Sequence, residues 1–569
     1  MLHSGARLTI TEWRKAMSAE AGIGKHGPLL PYLLLVAGVL AVFGAALRYD
    51  FVHWDDPVNV TQNPLITEPW SKDLIARLFT GEAALRFKPL PWLVSRATHA
   101  LWGFNPAAWH AVSLVLHLGA TLALAALLRR WLVNDAEPAK ASPTTWIACG
   151  AAALWAVHPA RAEPAVWVTA MPYPLMGALL FVSFHFYTLA QTTGRAQAMK
   201  WYFLSWGFAV CSHLTYPVGV TYVLWLMAAD RWIFRTAPVM RRLGREQASW
   251  LLRHAAFALP AVLSLVVTWQ SAAAASPLYP AAPGLDDVGL LVRIKMAAAM
   301  LTAVWTHFAW PFGHTPNNPM IAPGQIDGLS ITLWAVVTCL MLAGAWLVRR
   351  RWPAATGLVI GVAGLCVPVL GLTQWPSWSV ADRHVYLPHA IFAGTLAVLF
   401  ARRISKTAIA TRPILVVAAA ALVVGVAWRG HVQASIWRDT DTLFAYIEKQ
   451  PAFAWDARQQ AHIYSIWAAY DQSRGRTESG ALHITRAQRA LVDRMVFALQ
   501  AGDHGQFIEC SRDLEQRFGL PPQLRRERAK LLLGQGQAAA ALRDLEVVAR
   551  ALPEDPETQD MLRSLQQTP

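Results

Sequence analysis

Three groups of ionisable residues flank apolar runs in this chain, and each holds residue types suited to group transfer. The first is Trp54-Asp55-Asp56-Pro57, directly after an apolar stretch. A carboxylate at the edge of a membrane costs free energy unless it reaches water or serves a site, so Asp55 and Asp56 are candidates for acid/base work. A solvated loop pair or a helix cap would have the same spacing. The second group, His158 to Pro164, holds one acid, Glu163, which either serves a site or pairs with Arg161. The third, Trp375 to Pro388, contains Asp382-Arg383 among aromatic residues. A guanidinium there suits a phosphate at headgroup depth, because its donor fork matches phosphate oxygens; the alternative is a local Asp382–Arg383 pair that anchors the loop. With Arg86 and Lys88 added, acids and cations gather on one membrane surface, a combination suited to a lipid-phosphate ligand beside acid/base chemistry.

Metal and cofactor signals are weak. Asp55, Asp56 and Glu163 alone do not make an oxygen-rich cation site, and the five cysteines lack metal spacing. His99, His110, His117, His185 and His213 are scattered on apolar stretches with no His-x-x-x-His pair, as expected of histidines that bond one helix to another. No cofactor and no metal site is expected, although participation of a divalent ion stays open.

These residues must be positioned by membrane helices. The 569 residues are 55% hydrophobic and 15% charged, against about 25% charged in a soluble average. The 27 tryptophans suit the two headgroup levels, where an indole finds both an apolar and a polar neighbour. The net charge of +15 sits mostly in short loops between apolar runs, which argues against nucleic acid and for topology. Apolar runs near 29–47, 107–128, 146–158, 174–191, 200–213, 215–229, 250–270, 328–348, 353–372, 388–401 and 413–428 give about 11 spans, several of them short. The first reads as an uncleaved span. Lys and Arg cluster in alternate loops, with Arg349-Arg350-Arg351 on the same side as Arg129-Arg130 if segment 291–311 lies at the outer interface or re-enters. The N-terminus is then cytoplasmic and the C-terminus extracytoplasmic.

The expected organisation is all-α: a cytoplasmic segment 1–28, a polytopic membrane helix bundle over 29–429 with a long first outer loop 48–106, and an extracytoplasmic soluble helical domain over 430–569. In that tail Leu531 to Gln537, Ala538 to Ala541, Leu545 and Pro553 follow a tetratricopeptide helix–turn–helix pattern. One unit cannot bury its own face, so degenerate units are expected before it, within 440–530.

An ordered set of blocks carries a family resemblance from Phe51 to about Pro451 and on into the tail. The blocks are Phe51 to Pro57 through Asn63-Pro64-Leu65; Lys88-Pro89-Leu90; Leu101 to Pro106 with His110; His158-Pro159 with Glu163; Ala381-Asp382-Arg383 with Tyr386-Leu387-Pro388; and Trp437-Arg438-Asp439 with Leu443-Phe444. Taken in order, they resemble membrane glycosyltransferases of the GT-C fold, in the branch with C-terminal tetratricopeptide repeats related to protein O-mannosyltransferases. The resemblance implies a GT-C-like bundle; frequent Ala and an Arg-rich cytoplasmic side place it in a bacterial inner membrane. It also implies inverting transfer of a mannose-like sugar from a polyprenyl-phosphate carrier to an acceptor hydroxyl on a protein or glycan, with no nucleotide cofactor. Asp55 would be the base, with Asp56 and Glu163 beside it. Arg383, then Lys88, Arg86 and Arg161, would meet the lipid phosphate. The chain departs from the family at Phe87-Lys88, at His384, at Met171-Pro172-Tyr173-Pro174, where a basic–acidic pair is usual, and at His213, where Lys is usual. A descendant that kept the fold and repeats as a non-catalytic scaffold is the alternative.

Overall fold

A computed structural model describes residues 29–80, 87–133, 141–238, 244–275, 290–316, 329–370, 381–451, 453 and 456–566. These residues form helices and connecting turns, with no strand among them. The chain divides into two compact units, one through Leu443 and one from Phe444. It is a multi-pass membrane protein: among the described residues six helices, including Leu30–Arg48, Pro106–Leu132 and Asp382–Lys406, are long and apolar enough to cross a bilayer.

The long helices of the first unit are α1 (Leu30–Phe43), α2 (Pro89–Trp102), α3 (Pro106–Val133), α4 (Ala141–Ala156), α5 (Pro172–Thr192), α6 (Arg195–His213), α7 (Arg245–Ala275), α8 (Leu290–Ala309), α9 (Leu329–Leu347), α10 (Pro353–Cys366), α11 (Tyr386–Lys406) and α12 (Arg412–Ser435). Proline stands in the first turn of α1, α2, α5, α10 and α12. It fits there because that N–H has no intrahelical partner and the ring presets φ for a helix.

Polar contacts sort the helix ends into two groups. At one end Arg129 donates to Thr145, Arg130 to Thr192, and Gln191 and Trp250 both donate to the Asp230 carboxylate. At the other, Arg383 pairs with Glu163, Trp437 stacks on Trp167, Thr169 bonds Asp56, and Ser271 donates to the Thr80 carbonyl.

Close approaches hold the helices in register. On α12, a Cβ at Gly430 would clash with the Val157 carbonyl oxygen, and on α10 a Cβ at Gly361 would clash with the Trp225 ring. The apolar segment 291–311, expected at the outer interface or re-entering, forms most of α8. As α8 it runs antiparallel to α9, joined by Thr302 to the Trp334 carbonyl (2.8 Å) and by Thr338 to the Ala298 carbonyl (2.6 Å), and it packs Trp305 and Phe308 in tilted ring contacts against Phe392 of α11. A helix this apolar gains more from lengthwise burial than from a wet face.

The boundary between the units falls beyond the expected residue 430. Residues after α12 stay with the membrane unit because Trp437 stacks on Trp167 and the Thr440 hydroxyl accepts from the His53 N–H. The second unit is a succession of helices, α13 (Ala457–Ser473), α14 (Thr477–Gln500), α15 (His504–Phe518), α16 (Pro522–Gly534), α17 (Ala538–Ala551) and α18 (Pro556–Gln566). Gly475, Gly502, Gly519 and Gly536 stand at positive φ in four of the five intervening turns, where other residues would be strained. Its core includes Ile508, Ala529, Leu532, Ala541 and Leu545.

Candidate functional site

After α1 the chain leaves the bundle through an extended stretch and turns at Trp54. The two neighbouring acids there end in opposite circumstances. Asp56 is 1% exposed. One carboxylate oxygen accepts from the Val52 N–H at 2.9 Å, and the other accepts from the Thr169 hydroxyl at 2.6 Å and the Thr169 N–H at 3.2 Å. Burial nevertheless raises its pKa to about 7, against the pull of those donors. Asp55 is half-buried, and its carboxylate takes no hydrogen bond from any described residue.

Asn59, one helical turn on, ties Asp55 to a cation. Its amide nitrogen donates to the Asp55 carbonyl at 3.0 Å, while its amide oxygen accepts from Lys88 Nζ at 2.8 Å. Lys88 is buried over the Trp92 ring, at the N-terminus of α2, where the helix dipole adds to its positive charge. The same helix start is fixed by the Leu90 N–H, which donates to the Leu214 carbonyl just past α6.

Glu163 does not pair with Arg161. It is buried and pairs with Arg383, and its second carboxylate oxygen has no hydrogen-bond partner among the described residues. Burial pushes the Glu163 carboxyl up, against the pull of Arg383. The Arg383 guanidinium lies over the Trp167 ring at 5.6 Å, and Trp167 in turn meets Trp54 (6.2 Å) and stacks on Trp437 (5.1 Å). Segment 163–169 thus links the acidic turn to Arg383. Tyr173, in the stretch that lacks the expected charges, packs against Tyr216 and His384, so rings stand where the resemblance implied an ion pair.

The chain is similar to a protein O-mannosyl-transferase. It is 26% identical over 250 residues to human protein O-mannosyl-transferase TMTC2, a match taking in 42% of this chain; the chain covers 28% of that curated relative's length. No family model matches. Among solved structures, ArnT from Cupriavidus metallidurans, crystallised with undecaprenyl phosphate, has a TM-score of 0.34 and 14% identity over 86% of this chain and 81% of its own.

Two further expectations concern Arg161 and Asp382. Arg161, expected at the lipid phosphate, is fully buried and donates to the Val385 and Tyr386 carbonyls and to His389 Nδ1. Burial lowers its pKa to about 10. Its two terminal nitrogens bond the start of α11, while its buried Nε has no hydrogen-bond partner among the described residues. The local Asp382–Arg383 pair is also replaced: Asp382 faces His314 and His307, while Arg383 turns to Glu163. Arg86 and residues 375–380 lie outside the described residues.

Asn59, Trp167 and Thr169 were not singled out from the sequence. The i,i+4 spacing of Asp55 and Asn59 was a signal for the first, since such residues share a helical face. Nothing local pointed to Thr169, which is 113 residues from Asp56.

Proposed function

We propose that the chain is a glycosyltransferase that moves a mannose-like sugar from a polyprenyl-phosphate carrier to an acceptor hydroxyl on the extracytoplasmic face of a bacterial inner membrane. The similarity to a protein O-mannosyl-transferase supports the reaction class and a protein Ser/Thr acceptor. The observation that carries the reading is the contrast between the two acids: Asp56 is locked into the fold, and Asp55 is half-exposed with no hydrogen-bond partner for its carboxylate among the described residues.

In this reading Asp55 takes the proton from the acceptor hydroxyl. The hydroxyl oxygen attacks the anomeric carbon, the bond from that carbon to the phosphate oxygen breaks, and its electron pair leaves on the phosphate. A single displacement inverts the anomeric centre. Lys88 and Arg383 stabilise the charge that develops on the phosphate, and Glu163 holds Arg383 in place. Arg86 completes the cationic set on sequence grounds, whereas Arg161 positions α11. Helix hairpins of the second unit, read as tetratricopeptide-like, suit an extended peptide acceptor.

Purified protein in detergent, supplied with polyprenyl-phosphate sugars and acceptor peptides, tests this. Asp55→Asn should lower transfer by about 10²–10⁴-fold with an unchanged gel-filtration profile. Equal transfer by both proteins would remove Asp55 as base, and no transfer by wild type with any donor would favour the scaffold.

A further inference from the structure

A group of side chains beside Arg383 has no part in the reaction above. His307, near the end of α8, His314, in the turn that follows, and Asp382, just before α11, each bring one ligand atom within 4.8 Å of the other two. We propose that His307, His314 and Asp382 bind a zinc ion.

Two imidazole nitrogens and one carboxylate oxygen form a donor set that zinc favours, with an open fourth position for water or another oxygen. His314 and Asp382 are almost completely buried and His307 is 24% exposed. His314 Nδ1 lies 2.7 Å from Asp382 Oδ1, and His307 Nδ1 lies 3.5 Å from the same oxygen. Around zinc, with bonds of about 2.0–2.1 Å, tetrahedral ligand atoms sit roughly 3.3 Å apart. The two separations bracket that value, and all three ligand atoms lie within 4.8 Å of one another.

The second contact is not a good hydrogen bond: His307 Nδ1 is buried without a hydrogen-bond partner among the described residues. A buried nitrogen aimed at an oxygen it does not bond is costly unless something else satisfies it. His158 borders the cluster, with its ring centroid 5.6 Å from that of His314. Its Nδ1 accepts from the Ala160 N–H, so its proton sits on Nε2 and it is a donor beside the site rather than a ligand.

The segments that carry the ligands are clamped from outside. Gln433 of α12 donates to the His314 carbonyl at 2.9 Å, and His389 of α11 bonds the Val304 carbonyl at 3.0 Å, one turn before His307. Such outer contacts orient metal ligands. An ion here ties α8 and its following turn to the start of α11, and so fixes the residue before Arg383. The zinc site depends on this geometry alone and stands whether or not the chain transfers sugar.

The full chain, purified through a tag without histidine from zinc-containing medium, should carry about one zinc per chain by plasma mass spectrometry. His314→Ala, His307→Ala and Asp382→Asn should each lose most of it. If a variant fails to fold, wild type decides: chelation should lower the melting temperature, and zinc alone should restore it. A wild type free of zinc whose melting temperature ignores added zinc would overturn the proposal. So would full zinc retention in all three variants.

Discussion

The two acids of the first outer turn differ only in what the fold packs around them, and that difference has measurable consequences. Asp56 has a folded pKa of about 7, above its ordinary value of 3.8. The folded state therefore holds a proton that the unfolded chain releases near pH 4. Stability from this group is full below about pH 4, falls as pH rises towards 7, and is flat above. Thermal midpoints measured from pH 4 to 8 should decline in wild type, and the decline should be smaller in Asp56→Asn. A rise across that window would contradict the assignment. Glu163 and Arg383 offer a second test. Removing Arg383 alone leaves Glu163 buried without its cation, which costs about 3–5 kcal/mol, so Arg383→Gln should lower the melting temperature sharply. The double variant Glu163→Gln/Arg383→Gln should regain most of that stability. If Arg383 meets the donor phosphate, the double variant recovers stability without recovering transfer; recovery of both would make Arg383 structural.

At the scale of elements, α12 and the turn after α4 are held by the absence of a side chain. A methyl at Gly430 would clash with the Val157 backbone carbonyl, and backbone cannot rotate away as a flexible side chain can. Gly430→Ala should therefore destabilise the bundle by roughly 1–3 kcal/mol, read as a lower thermal midpoint in detergent. Because that turn leads directly into Glu163, transfer should fall with it. Gly425 lies about one and a half turns earlier on the same helix, and a methyl there would have nothing within 4 Å. Gly425→Ala should be neutral or slightly stabilising, which makes it the control. The helices themselves were legible in sequence, because apolar runs of spanning length have no other stable state in a bilayer. The position of α8 was not, since hydropathy cannot tell a helix lying on the membrane from one packed along α9 and α11.

For the whole molecule, the contacts put Asp56, Glu163, Arg383 and Trp437 at one end of the bundle and Arg130, Asp230 and Trp250 at the other. A reporter fused after Pro569 should score as extracytoplasmic, together with one placed in the first outer loop. A cytoplasmic score at both sites would invert the arrangement, and opposite scores would break the even grouping of helix ends. The sequence by itself determined the class of molecule, the rough limits of most apolar helices, and the short list of acids and cations at their edges. Those properties follow from composition and spacing along one chain. Only the tertiary structure decided which of the two acids is locked into the fold, that Glu163 pairs with Arg383 and not Arg161, and that His307 and His314 meet Asp382. Each of those contacts joins residues tens to hundreds of positions apart. Local sequence carries the cost of burying a charge, but only packing shows which partner offsets it.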